Sequence, residues 1–337
     1  MSASAARGLI EPRDGGLWCA PGGFHIDPGR AVEMAVITHA HADHCRSGHK
    51  AMLATPGTAA IAKARYGAGA FRRVETLAYG EPRRIGDVTV TLVPAGHVRG
   101  SAQVVIEKGG ARAVVSGDYK RAHDPTCAPF EPVPCDLFVT EATFGLPVFR
   151  HPPVVSEIAR LLASVGRFPQ RTHLVGAYAL GKAQRLIAEL RMAGYDRTIW
   201  LHRALEKLCA VYEALGVTLG PLANATEAPG RSLAGEIVMA PPGAVNDRWA
   251  RRLGDPLAVG ASGWMRVRQR ARQRGVELAL VVSDHADWDE LTRTIVDTGA
   301  EEVWVTHGAE DALLHWCGTQ GISARALRLI GRGEEEE

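Results

Sequence analysis

Four of the six positions from 39 to 44 carry side chains of the types that bind metal ions. His39, His41, Asp43 and His44 follow the apolar run AVEMAVI, which is typical of a short buried strand. A loop leaving such a strand would crowd three imidazoles and a carboxylate together, which is unfavourable unless a cation compensates them. Neutral imidazole and carboxylate ligands suit zinc or manganese. The spacing therefore predicts a site for a divalent transition metal.

The composition is that of an ordinary globular protein. Of 337 residues, 46% are hydrophobic and 23% charged, and the net charge is +2, so disorder is excluded and no overall charge favours nucleic acid. Nearly all the positive charge is arginine, which suits bidentate phosphate contacts. The alternative explanation for the arginines is the codon bias of a GC-rich genome. The length favours two domains.

Cysteine usage and hydropathy predict a cytoplasmic protein without a membrane segment. The six cysteines form no CxxC pair, so we expect reduced, partly buried thiols. The N-terminus MSASAARGLI lacks the apolar segment of a secretory signal, and no run approaches the length of a membrane span. The terminal EEEE is expected to be a solvated tail.

The patterning changes along the chain in a way that predicts an insertion. From about Gly15 to Asp118 one strand follows another, and AQVVIEKGGARAVVSGD is typical of a hairpin turning at Gly109 and Gly110. After Pro152, strands alternate with amphipathic helices such as KAQRLIAELRMAG, which indicates a parallel α/β unit. The last part returns to a helix, a strand and a helix.

The HxHxDH motif resembles that of the metallo-β-lactamase superfamily. The resemblance implies an α/β fold, the metallo-β-lactamase αββα sandwich, and further ligands in a fixed order along the chain. His97 in PAGHVRG and Asp118 in SGDYK stand at the first two of these places. Asp27 in FHIDPG matches an early aspartate that orients the ligands without being one.

Later motifs resemble the β-CASP branch of that superfamily, whose members are nucleases. The segment TEATFG supplies Glu141, LVGAYALGKAQRL resembles a strand, loop and helix of the branch, SDHADWDE supplies His285, and WVTHGAED supplies His307. The segments ITHAHADH, PAGHVRGSAQ, VVSGDYKR and TFGLPVFRHP most resemble bacterial ligase-associated DNA exonucleases. Artemis-like nucleases, ribonuclease J and the pre-mRNA 3′-end cleavage endonuclease are more distant.

This resemblance implies an α/β β-CASP domain inserted into the lactamase fold. The first part of the lactamase domain is expected at residues 1–148 and the insertion at residues 149–281. The C-terminal part of the lactamase domain is expected at residues 282–333 and the acidic tail at residues 334–337.

The resemblance also implies two divalent transition-metal ions, zinc or manganese, that activate water for attack on phosphorus. It assigns one ion to His39, His41 and His97 and the second to Asp43, His44 and His307, with Asp118 bridging both. Asp43 is counted among the catalytic residues as well. His285 is the candidate general acid, and Glu141 would hold its imidazole in position.

Substrate contacts are expected from two loops and a basic run. Ser283 and Lys182 are candidate phosphate contacts, although a lysine on a helix is commonly just solvated. Ser262 and Gly263 could present backbone N–H groups to a phosphate, and Trp264 could stack on a base, although a plain turn with a buried tryptophan fits as well. The run RVRQRARQRG, which begins at Arg266, is the densest basic stretch.

We therefore expect a two-metal nuclease that degrades single-stranded DNA, from the 5′ end, in repair beside an ATP-dependent DNA ligase. His307 leaves the choice between DNA and RNA open, because histidine at this motif is commoner in RNA-acting members. An RNA-processing ribonuclease and a small-molecule metallohydrolase are the alternatives, and a scaffold that has lost its ligands is disfavoured because every expected ligand is present.

Overall fold

A computed structural model describes residues 3–13, 15–228 and 233–327. These residues form two compact units, one of the residues up to Arg150 together with those from His285 onward, the other His151–Asp284. The assignment of a β-CASP insertion to residues 149–281 stays a prediction. The predicted acidic tail, 334–337, and residues 328–333 of the predicted C-terminal part lie outside the described residues.

The first sheet of the first unit has six strands in chain order. They are β1 (Glu11–Arg13), β2 (Gly16–Cys19), β3 (Phe24–Ile26), β4 (Met34–Val36), β5 (Ala51–Ala54) and β6 (Arg73–Thr76). Strands β1 to β3 pair antiparallel, whereas β3 to β6 pair parallel. A short helix, α1 (Ala3–Arg7), precedes them.

A helix, α2 (Pro56–Tyr66), corrects the expectation that only strands lie between Gly15 and Asp118. Thr55 caps it by accepting a hydrogen bond from the Thr58 N–H at 3.1 Å, and Pro56 stands at the helix start, where its missing N–H costs nothing. Of its buried residues, Thr58, Ala59, Ile61 and Ala62, only Ile61 is a large apolar residue, so the apolar periodicity that reveals a helix in a sequence is weak here.

The second sheet has seven strands in the order β19-β18-β11-β10-β9-β8-β7. They are β7 (Pro82–Ile85), β8 (Val88–Pro94), β9 (Ala102–Lys108), β10 (Ala111–Val115), β11 (Leu137–Ala142), β18 (Glu302–Gly308) and β19 (Ser323–Ala326). The predicted hairpin is confirmed, since β9 and β10 pair antiparallel and Gly109 and Gly110 between them have φ of 59° and 83°. Strands β8, β10, β11 and β18 run in the same direction, so their carboxyl ends share one edge.

The two sheets pack face to face. Ile26 and Val36 of the first sheet are fully buried in one apolar core with Val90 and Val104 of the second. Alternating burial along β8 matches the alternating apolar residues of its sequence.

Helices cover the outer faces of both sheets. On the first sheet, Ala62 of α2 packs with Met52. On the second, Phe138 packs with Leu291 of α7 (Trp288–Thr298) and Leu313 of α8 (Glu310–Thr319). The layers are helix, sheet, sheet and helix, and the predicted αββα sandwich is confirmed.

The second unit is built on a parallel sheet of six strands in the order β14-β13-β15-β12-β16-β17. The strands are β12 (His173–Gly176), β13 (Ile199–Leu201), β14 (Leu222–Asn224), β15 (Ile237–Ala240), β16 (Leu257–Ala261) and β17 (Leu278–Leu280). The helices are α3 (Val154–Arg167), α4 (Lys182–Met192), α5 (Arg203–Ala214) and α6 (Arg268–Gln273), with 3-10 segments at Pro242–Asn246, Ala250–Leu253 and Gly263–Arg266. The predicted alternation of strands and helices is confirmed.

All six cysteines are unbonded thiols, as predicted. Among the described helices, none combines the length and the apolar character needed to cross a membrane.

Candidate metal centre

The predicted ligands lie where strands end. His39 follows β4, His97 follows β8, Asp118 follows β10, and His307 stands near the end of β18. Because β8, β10 and β18 run in the same direction, their following residues meet at one edge of the second sheet. Parallel strands thus bring together side chains that lie far apart in the sequence.

The first group of ligand atoms consists of three imidazoles and a carboxylate. His41 Nδ1 lies 3.1 Å from His39 Nε2 and 3.0 Å from His97 Nε2. Asp118 Oδ2 lies 3.4 Å from His39 Nε2 and 3.8 Å from His97 Nε2. All four ligand atoms lie within 4.8 Å of one another, so one ion can contact all of them.

The second group shares Asp118 with the first. His44 Nε2 lies 3.3 Å from Asp118 Oδ2 and 3.3 Å from Asp43 Oδ2. His307 Nε2 lies 3.3 Å from Asp118 Oδ1, the other oxygen of that carboxylate. The structure thus gathers all seven predicted ligands, and the two oxygens of Asp118 face different histidines.

Asp27 and Thr38 determine which nitrogen of His39 carries its proton. The Thr38 hydroxyl donates to Asp27 Oδ2 at 2.6 Å and lies 3.1 Å from His39 Nδ1. Since its hydrogen points to the carboxylate, its oxygen accepts the proton of Nδ1. The lone pair of His39 Nε2 therefore faces the other ligands.

The same aspartate orients His44. His44 Nδ1 lies 2.7 Å from Asp27 Oδ2, so Nδ1 carries the proton and donates. Its Nε2 lone pair then faces the oxygens of Asp43 and Asp118. A lone pair opposite two carboxylates is repulsive unless a cation lies between them, so this donor set fits a divalent metal.

Burial and neighbouring charges keep the ligands in metal-binding protonation states. Burial lowers the pKa of His39 well below its usual value, and the adjacent His44 lowers it further, so the imidazole is neutral. Burial alone would raise the pKa of Asp118, but the surrounding imidazoles, His44 first, hold it well below its usual range. The pKa of Asp43 is likewise lowered, by His44 against the effect of burial. Both carboxylates are thus ionised at neutral pH.

The cluster has a deep side and an open side. His39, His44 and His97 are fully buried, whereas His41, Asp43 and His307 are partly exposed. The cluster is therefore open to solvent at these three residues.

His285 and Glu141 form a pair beside the cluster. Glu141 Oε2 lies 2.9 Å from His285 Nδ1, and Glu141 Oε1 accepts from the Tyr119 N–H at 2.8 Å. The Thr143 hydroxyl lies 3.4 Å from the same nitrogen of His285, and Asp118 Oδ2 lies 4.0 Å from it. Both oxygens of Glu141 accept N–H groups, so Nδ1 of His285 carries its proton. The set of Asp118, Glu141 and His285 is therefore less suited to a metal ion than the two groups of ligands described above.

Two threonines that precede ligand histidines were missed by the sequence analysis. Thr306 Oγ1 lies 3.2 Å from His307 Nδ1, just as Thr38 does from His39. The dipeptide Thr-His is common to both places, but it also occurs at Thr172 and His173, where His173 Nδ1 has no such contact, so it does not by itself reveal this role. His307 has a φ of 37°, and Gly308 next to it has no room for a Cβ, which would lie 2.1 Å from the Ala142 carbonyl oxygen.

The loop around His97 is also fixed by residues that the sequence analysis missed. Ser101 Oγ accepts from the N–H groups of His97 and Val98 at 3.1 Å and 3.2 Å. Lys120 is 1% exposed and donates to Asp124 at 2.7 Å and to the His97 carbonyl at 3.4 Å. No sequence signal distinguishes these contacts from ordinary turn residues.

The candidate substrate contacts Lys182 and Ser283 lie in the second unit, both buried. Lys182 Nζ lies 3.8 Å from Asp284 Oδ2, and Arg185 donates to the Ser283 carbonyl at 2.5 Å. The burial of Lys182 rules out the solvated helix face that was its alternative.

The remaining candidates, Ser262, Gly263, Trp264 and Arg266, follow β16. The Ser262 N–H donates to the Leu280 carbonyl, so this turn lies beside the end of β17. Ser262 and Gly263 are buried, Trp264 is partly exposed and Arg266 is exposed.

Comparisons with known proteins agree with this fold. Residues 15–175 match the family model of the beta-lactamase superfamily domain. A crystal structure of a protein of unknown function from Enterococcus faecalis superposes on 89% of this chain and 80% of its own with a TM-score of 0.60 and 13% identity, which supports the fold alone. Residues 15–175 are thus similar to the beta-lactamase superfamily domain, and the fold that the family resemblance implied is confirmed.

Curated relatives with similar sequences include proteins named as a ligase and as endoribonucleases. A protein of Opitutus terrae named probable DNA ligase is 29% identical over 93% of this chain and 30% of its own length. Endoribonuclease ysh1 of Aspergillus fumigatus is 31% identical over 41% of this chain and 16% of its own length. Cleavage and polyadenylation specificity factor subunit 3 of Dictyostelium discoideum is 32% identical over 34% of this chain and 15% of its own length. The chain thus spans 30% or less of the length of each of these relatives. The predicted resemblance to β-CASP nucleases is confirmed.

Proposed function

We propose that the protein is a two-metal phosphodiesterase that degrades single-stranded nucleic acid. The observation that carries the proposal is the convergence of seven ligand-type residues, with Asp118 common to both groups, beside the Glu141–His285 pair. The shared carboxylate suits two ions, and the pair supplies a proton donor at the same edge.

His39, His41, His97 and Asp118 would hold one ion, and Asp43, His44, His307 and Asp118 the other. Zinc or manganese bound there would lower the pKa of water and offset the charge that builds on the phosphate oxygens. Asp27 and Thr38 keep the ligand nitrogens of His39 and His44 deprotonated and aimed inward.

His285 donates a proton to the leaving oxygen. Its Nδ1 hydrogen is held by Glu141, so Nε2 is the atom that carries and releases the second proton. The Glu141 carboxylate stabilises the imidazolium and fixes the orientation of the ring, because its other oxygen is held by the Tyr119 N–H.

We further propose that the substrate is single-stranded DNA, degraded from its 5′ end in the cytoplasm during repair beside an ATP-dependent DNA ligase. The support is the relative named probable DNA ligase, which contains a stretch similar to nearly the whole of this chain. A buried phosphate contact at Ser283 would bind the strand's end and yield stepwise removal of nucleotides.

An RNA-processing ribonuclease is the second candidate. It is favoured by His307 and by the relatives named endoribonuclease ysh1 and cleavage and polyadenylation specificity factor subunit 3. A small-molecule metallohydrolase would explain the metal cluster but gives no reason for the second unit, His151–Asp284.

The test uses end-labelled single strands of DNA and RNA of one sequence, with and without a 5′ phosphate, incubated with zinc or manganese. We expect DNA to be degraded, the 5′ label to be released first, and a circular strand to resist. Cleavage of RNA alone would assign the protein to RNA processing, and equal cleavage of the circle would make it an endonuclease. Hydrolysis of neither polymer would contradict the proposal.

A further inference from the structure

A segment of the second unit, Arg266–Arg274, carries an arginine at every second position. We call it the arginine segment. Its five arginines are the only charged residues between Ser262 and Val276. It begins at the end of the 3-10 turn that follows β16 and continues through α6.

The segment packs through its small and apolar residues and leaves arginines outside. Ala271 is buried, as is Met265 just before the segment, whereas Arg266, Arg268 and Arg272 are exposed. The segment therefore presents three of its five arginines fully to the solvent, while Arg270 and Arg274 are partly buried.

Among the described residues, no carboxylate lies within 4.0 Å of the guanidinium groups of Arg266, Arg268, Arg270 or Arg272. The acidic residue next along the chain, Glu277, is not available to them, because both of its oxygens accept hydrogen bonds of 2.8 Å from Arg171.

Some arginines elsewhere in the unit have carboxylate partners. Arg160 pairs with Glu157 at 2.6 Å, and Arg197 pairs with Glu236. Among the described residues, Arg203, Arg248 and Arg251 of this unit have no carboxylate partner either, so what distinguishes the segment is its five arginines within nine residues.

Helix stability does not account for the pattern. Arg268 and Arg272 are four residues apart on α6, so their like charges repel along one face. Arg268 also stands in the first turn, where the helix dipole disfavours a positive charge. An external anion would remove both penalties.

Trp264 holds one guanidinium in a fixed position. Arg270 Cζ lies 3.9 Å from the centre of the indole ring, and the backbone N–H of Trp264 donates to Ser262 Oγ at 3.2 Å. A guanidinium stacked on an aromatic face keeps its N–H edges for bidentate contacts, the geometry that a phosphate requires.

We propose that the arginine segment is a binding surface for the phosphate backbone of a single-stranded nucleic acid, separate from the residues of the metal cluster. The inference rests on the proposed function, because it takes its ligand from the substrate class of that function. The segment binds by charge and reads no sequence, so DNA and RNA share the chemistry it recognises.

The experiment compares the metal-loaded wild type with R268Q/R272Q, which removes two exposed cations from α6. The matched control is R203Q/K207Q, which removes two exposed cations of the same spacing from α5 in the same unit. Binding of labelled phosphorothioate strands of DNA and RNA, which resist hydrolysis, is measured across a salt series. Hydrolysis of bis(p-nitrophenyl) phosphate, which has a single phosphate and no polymer backbone, reports on the metal cluster alone.

We expect R268Q/R272Q to bind both strands about 5- to 20-fold more weakly, with a salt slope reduced by roughly 1 to 1.5, since each phosphate contact contributes about 0.7. Hydrolysis of the small diester by R268Q/R272Q should be unchanged, and so should the binding of strands by R203Q/K207Q. Weakening no greater than that of R203Q/K207Q overturns the inference, and so does displacement of the strand by polyglutamate at equal charge, which would assign the segment to an acidic peptide. If the wild type binds strands but hydrolyses neither strands nor the small diester, the proposed function fails while the binding surface stands.

Discussion

The metal cluster of the first unit and the arginine segment of the second unit differ in where they place charged and polar groups. The cluster buries imidazole lone pairs and carboxylates against one another, as where His44 Nε2 lies 3.3 Å from oxygens of both Asp43 and Asp118. The segment exposes arginines such as Arg268 and Arg272 without carboxylate partners among the described residues. One arrangement requires a cation, and the other attracts an anion.

The difference separates two tasks. Buried donors whose protons are assigned by Asp27 and Thr38 are suited to fixed chemistry at one point. Exposed cations on flexible side chains are suited to a long polyanion that contacts many points weakly. Changes to the cluster should therefore affect turnover, whereas changes to the segment should affect binding and its salt dependence.

The largest effect is expected for Asp118→Asn. The variant keeps the size of the side chain but removes the charge that both groups of ligands share, so metal content and turnover should fall together, turnover by about 10³-fold or more. Metal analysis and hydrolysis of a labelled strand measure both. The matched control, Asp87→Asn, removes an exposed carboxylate of the same unit and should change neither. A fully active Asp118→Asn variant would contradict the bridging role.

His285→Gln should lower turnover of a labelled strand by about 10²–10⁴-fold with metal content intact, because a general acid is not a ligand. The loss should be much smaller on bis(p-nitrophenyl) phosphate, whose leaving group departs without a proton. Equal losses on both substrates, or loss of metal, would place His285 in another role.

Thr38→Val tests whether the cluster depends on its assigned protons. The variant loses the hydroxyl that joins Asp27 to His39, and metal affinity should fall about 10- to 100-fold. Thr38→Ser keeps the hydroxyl and should retain most of the affinity. Titration of the protein with a chelator of known affinity measures both variants, and equal affinities would show that the hydroxyl has no such role.

The smallest effect concerns a buried histidine outside the cluster, His173 of the second unit. Burial lowers its pKa below the usual value of 6.5. The unfolded chain therefore takes up a proton first as the pH falls, and the free energy of unfolding should decrease below about pH 6.5 until the folded pKa is reached.

Urea unfolding of wild type and His173→Gln in the same buffers isolates this effect. The variant loses the contact of 2.9 Å between His173 Nε2 and the Ser164 hydroxyl, which makes it less stable at every pH. Because only the wild type carries the titrating imidazole, the difference between the two should shrink from about pH 7.5 to pH 5. A constant difference would show that His173 does not titrate in this range.

The sequence predicted best what depends on spacing and direction. The histidines of HxHxDH lie in one loop after one strand, so their proximity needs no knowledge of the fold. Bringing in His97, Asp118 and His307 requires that their strands run in the same direction, which only the family resemblance implied. Side-chain details such as Thr38 donating to Asp27 could not be predicted, because a threonine before a histidine is an ordinary strand residue until the position of Asp27 is known.

The arginine segment could be recognised in the sequence, but its contacts could not be predicted from it. Its composition was evident, but solvated basic runs are common, and only the structure shows Arg270 stacked on Trp264 and Glu277 held by Arg171. Helix α2 was missed because its buried face has Ile61 as its one large apolar residue and so carries little apolar periodicity.

Metal content measured beside activity tests the central claim most directly. The purified protein should contain up to two zinc or manganese ions per chain, removal by a chelator should abolish hydrolysis of a labelled single strand, and adding either ion back should restore it. A folded protein that hydrolyses the strand with no bound or required metal would contradict the account.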